Sequence, residues 1–107
     1  FAAMVIKVTP SGQTSVVVDG LKSITGLVVD RGSIYILENA GGFVAPCTGQ
    51  ILRASRSGRI VPVPIATGLT FPTAMTLGPD GNLYVSDFGY FFGGGAGLGE
   101  VVRVDLY

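Results

Sequence analysis

Two carboxylates hold matching places in the chain. Glu38 closes the apolar run 34–37 and Asp87 follows the run 83–85. Paired carboxylates can bind a cation or serve as acid and base; equally, each can accept backbone amides where its strand leaves a sheet. With no histidine, His-dependent triads, His metal sites and the commonest general base are excluded. Serines are plentiful, yet none has an activating partner at a telling spacing. Cys47 stands alone, so no intrachain disulfide can form, and it reads as a small loop or partly buried thiol. The least ordinary stretch is 88–99, where Tyr90, Phe91 and Phe92 stand among glycines; its counterpart at 41–47 carries Phe43. Pliant backbone with large apolar rings suits a sugar, pigment or apolar ligand, a protein interface, or rings folded back over the sheet ends. No Lys-Ser or Lys-Thr follows these glycines and no helix is expected after them, so they are not a phosphate loop.

The elements that would position these residues repeat. The segment 69–87 contains a short apolar run, the turn signal Gly78-Pro79-Asp80-Gly81-Asn82 with Asp80 as turn former, and a β-prone run at 83–85. The segment 21–38 follows the same plan, giving a repeat of about 48 residues. A second pair of runs, 5–8 and 15–18, returns at 51–54 and 59–63, and its first half returns at 101–105. Lys7, Arg53 and Arg103 thereby share one register. If the strands of one unit are named a to d, the chain reads c and d (4–20), a full a to d (21–66), then a to c (69–107). The fold class is all-β, about two four-stranded antiparallel β-propeller blades belonging to a larger or oligomeric propeller. A sandwich would not demand so regular a repeat. Pro62 and Pro64 place strand d at an outer edge. Strand direction puts the d-to-a and b-to-c connections, including every long loop, on one face, with the short turns opposite.

Seven basic and seven acidic residues leave no net charge, and the arginines are spread over separate turns and strands. This balance argues against a nucleic-acid partner or an anionic membrane surface. No apolar run is long enough for a membrane span. The first residue, Phe1, leads us to expect a processed or excised chain.

The motifs Gly-Leu-x-x-x-Thr, Gly-Pro-Asp-Gly-Asn-Leu-Tyr-Val-Ser-Asp and Gly-Glu-Val-Val-Arg-Val-Asp resemble those of NHL and gluconolactonase-like six-bladed propellers. They are most similar to the ScyD/ScyE family, named for the scytonemin pigment gene cluster of cyanobacteria. The resemblance implies export to an extracellular or periplasmic location and a non-enzymatic scaffold or binding role. The alternative it implies is a metal-dependent lactonase or hydrolase with calcium or another divalent cation. The lactonases hold that cation at the channel mouth through carboxylates and amides, and the matching positions here are Thr25 and Thr73, whose neutral hydroxyls are poor replacements. The residues themselves call for no cofactor. About two blades alone would expose apolar faces, so a homo-oligomer, a polymer or the remainder of a longer propeller is expected as partner.

Overall fold

The computed structural model describes residues 3–39, 48–87 and 99–106. These residues are all-β: nine strands, each paired antiparallel, with no helix among them. The first sheet pairs β1 (Ala3–Val8) with β2 (Thr14–Leu21). The second runs β3 (Ile24–Asp30), β4 (Ser33–Asn39), β5 (Gly49–Ser55) and β6 (Ala66–Leu69) in chain order. The third comprises β7 (Ala74–Leu77), β8 (Leu83–Asp87) and β9 (Glu100–Val104). Among the described residues no helix is long and apolar enough to cross a membrane.

Side-chain alternation assigns the faces. On the second sheet, Ile34, Ile36 and Ala54 meet Val5, Val18 and Leu21 of the first sheet in one core cluster. The opposite face sends Val28, Leu37, Ile51 and Leu69 against Leu83 and Val85 of the third sheet in another. β4 is therefore covered on both faces; all seven of its residues are buried, which is why its middle, 34–37, is a continuous apolar run rather than an alternating one.

The turns explain the register. Asp30 pairs with Ser33 across a two-residue turn in which Arg31 (φ 49°) and Gly32 (φ 80°) are both left-handed, the type I′ geometry whose twist matches that of a hairpin. The β1–β2 turn and the one after β5 are copies of each other. Gly12 donates its N–H to Thr9 O and Gly58 donates to Ser55 O, both at 2.9 Å, with φ of 90° and 92° that a side chain would oppose.

The outer strand of the second sheet differs from expectation. The run 59–63 does not form strand d; Ile60 makes only an isolated bridge with Ala54, and the strand is Ala66–Leu69. Pro62 and Pro64 lack the N–H a ladder needs, and ahead of β6 the edge is held by Val61, donating to Arg53 O at 2.8 Å, and Ile65, donating to Ile51 O at 2.9 Å. The unit limits shift accordingly: Leu21 and Leu69 each close the outer strand of a sheet instead of opening the next.

Candidate functional site

Glu38 and Asp87 stand at the ends of β4 and β8, the central positions of their sheets, and both are buried, at 3% and 5% exposure. Glu38 Oε2 accepts the backbone N–H of Lys22 at 2.7 Å, and its Oε1 accepts Nε2 of Gln50 at 2.8 Å. Asp87 Oδ1 accepts the backbone N–H of Thr70 at 2.8 Å. Lys22 directly follows β2 and Thr70 directly follows β6. Each carboxylate thus reaches back to the first amide beyond the preceding sheet and clasps one sheet to the next. Of the two readings available from the sequence, amide acceptance is the one the hydrogen bonds display. The amides come from the linker behind the strand rather than from the strand's own exit.

The linkers repeat in backbone as well as in sequence. Ser23 (φ 40°) and Phe71 (φ 49°) both turn left-handed one residue after the clasped amide, preceded by the left-handed Gly20 and Gly68. The spacing of Gly-Leu-x-x-x-Thr carried this signal; the positive φ of Ser23 and Phe71 did not follow from residue type.

The two clasps differ in the residue across the strand. Glu38 faces Gln50, which donates to it, whereas Asp87 faces Glu100, a second carboxylate in the equivalent register. Like charges directly opposite are unfavourable, and nothing in the sequence repeat had singled Glu100 out. Among the described residues no three His, Cys, Asp or Glu side chains converge as a metal-holding group.

The threonines part company. Thr25 lies inside β3 at the irregularity between Ile24 and Gly26, and its Oγ1 is buried with no hydrogen-bond partner. Thr73, just before β7, is exposed; its Oγ1 lies 3.1 Å from Ser86 Oγ and its N–H donates to Ser86 O at 3.1 Å. Phe43, Cys47, Tyr90, Phe91 and Phe92 lie outside the described residues.

Asp80 acts as the turn former the sequence indicates: Oδ1 accepts Asn82 N–H at 3.1 Å and Oδ2 accepts the Tyr84 hydroxyl at 2.6 Å. That hydroxyl, followed by the Asn82 amide, holds the Asp80 carboxyl below its usual range, and the same bond, followed by desolvation and the Asp80 charge, raises the Tyr84 phenol.

Compared with protein-family models, curated proteins and solved structures, the chain shows no match.

Proposed function

We propose that the three sheets are consecutive β-propeller blades or parts of blades, and that the chain is a non-enzymatic, exported scaffold or binding protein. It associates through blade faces and edges with further blades, in a homo-oligomer or polymer or in the remainder of a longer propeller. The observation that carries this reading is the outer face of the first sheet. Met4, Ile6, Val8 and Val16 stand 44%, 50%, 63% and 56% exposed there, alternating with the buried Val5 that faces the second sheet. The apolar positions of β4 and β5 are covered by a neighbouring sheet, and an apolar stripe left open is a docking surface.

Two further features support it. β1 pairs only with β2 among the described residues, and a groove of about 340 Å³ lies at this edge, walled by Ile6 and Val17 and floored by Leu27 and Val29 of β3. Two more strands beside β1 would fill this groove, as β3 and β4 accompany β5. The buried carboxylates that looked most able to do chemistry are occupied in joining sheets. Export rests on the family resemblance alone.

The test is the mass of the purified chain in solution, by light scattering or native mass spectrometry. Association is expected in multiples of 11.0 kDa, and Ile6→Lys, at an exposed position whose backbone pairing with Val16 is untouched, should shift it toward monomer. A folded monomer at every concentration would overturn the self-association.

A further inference from the structure

We infer that the cleft between the β3–β4 turn and the segment following β5 binds a doubly charged tetrahedral oxyanion, phosphate or sulfate, free or carried on a small organic body. This cleft, of about 430 Å³, brings together Arg31 from the type I′ turn, Arg53 from β5 and Arg59 from the turn beyond it, with Ser33 at its base. The opposite wall is apolar, made by Ile60, Val61 and Pro62.

Three observations converge on an anion. The first is preorganisation. Arg53 Nε donates to the buried Ser33 Oγ at 3.1 Å, which fixes the guanidinium plane and leaves the serine O–H as a further donor. Arg59 is anchored through its backbone, its N–H donating to Ser55 Oγ at 3.2 Å and its carbonyl accepting Ser55 N–H at 2.9 Å, while its side chain is exposed. A guanidinium fork that is held, as that of Arg53 is, suits phosphate and sulfate oxygens, and the Arg59 side chain starts from an anchored backbone.

The second is that, among the described residues, two of these guanidiniums, those of Arg53 and Arg59, have no internal carboxylate partner. Asp105 lines the smaller cavity on the other side of Arg53, but it is held by Arg103 at 2.9 Å. Arg31 moreover occupies a left-handed position where Asn, Asp or Gly would sit with less strain.

The third is the field of the whole molecule. Lys7, Arg31, Arg53, Arg56, Arg59 and Arg103 all stand at the end of the sheets where the short turns lie, with Asp30, Asp80 and Asp105. The other end carries Asp19, Glu38, Asp87 and Glu100 against Lys22 alone. A chain with no net charge is therefore polarised along its strands, and the cleft opens at the positive end, where a partly apolar wall strengthens the attraction.

The experiment titrates the intact chain with inorganic phosphate, and separately with sulfate, at low ionic strength. Calorimetry is the readout, together with the NMR signals of the arginine Nε–H groups. Saturable binding with shifts at Arg53 and Arg59 is expected. R59Q, which among the described residues breaks no side-chain hydrogen bond or ion pair, and R53Q should each weaken it about tenfold. R56Q removes the same charge from the same turn but lies outside the cleft, lining the groove beside β1 instead, and should change binding by less than about twofold. R53K keeps the charge without the fork and should fall with R53Q rather than with the parent. Absence of saturable binding for both anions, or an equal loss in R56Q, would overturn the site. Either result leaves the mass of the assembly, and with it the proposed scaffold role, untouched.

Discussion

Asp87 and Glu100 face one another across β8 and β9, where the second sheet places Glu38 opposite Gln50. The amide of Gln50 satisfies an oxygen that Glu100 can only repel, so Glu100→Gln should copy the better arrangement. A gain of about 0.5–1 kcal/mol is expected, read as a raised urea midpoint with unchanged slope; no gain would mean that Glu100 turns away into solvent. The pH response belongs to the exposed turn of the third sheet. Asp80 is shifted down in the folded chain, so the stability it contributes is present above the ordinary carboxyl range and lost as pH falls through the lowered value. Tyr84 is shifted up, so its contribution is complete below the ordinary phenol range and lost as pH rises through the raised value. Tyr84→Phe should return the Asp80 titration, followed by NMR, toward the normal range, retaining only the smaller Asn82 contribution. An unmoved titration would assign the shift elsewhere. The equivalence of Glu38 and Asp87 was legible because both close β-prone runs at one spacing. Their amide partners were not, because a hydrogen bond 16 or 17 residues back along the chain has no local pattern.

Between elements, close approach decides how the second and third sheets meet. At Gly26 of β3, a Cβ would come within 2.9 Å of Met75 Cβ and 3.0 Å of Met75 N on β7. Backbone cannot yield as a side-chain tip can, so Gly26→Ala should cost about 1–3 kcal/mol by pushing β7 from β3. Hydrogen exchange should quicken first at Met75 and Val85, and unchanged protection would show that the sheets slide without loss. The hairpins were legible from turn residues and from the shared register of Lys7, Arg53 and Arg103. The outer strand was misplaced because 60–63 has strand-forming side chains but two prolines without donors follow or interrupt it. The chain re-forms its ladder only at Ala-Thr-Gly-Leu, a composition with weak strand preference.

For the whole molecule, the two faces available for association are unequal. The first sheet offers Met4, Ile6, Val8 and Val16, whereas the outer face of the third offers Thr76, Tyr84, Ser86 and Arg103 beside a 72% exposed Val101. Self-association should therefore be lost with Ile6→Lys and much less affected by Thr76→Lys in the same light-scattering assay. Equal sensitivity would point to contact through both faces. The grouping of arginines at one end was hidden in the sequence. They come from a turn, a strand interior and a further turn, and only antiparallel folding returns those points to the same end.

The clasp between sheets also sets a direction in time. A carboxylate at the end of β4 or β8 is synthesised after the amide it captures, so each linker waits unlatched until the middle strand of the following sheet has been made. A chain emerging from the ribosome would lock its sheets one after another from the amino end, each closure spanning fewer than about 20 residues and so requiring little loop entropy. Neither clasp has to await a distant partner, and a stalled chain would leave only its last joint open.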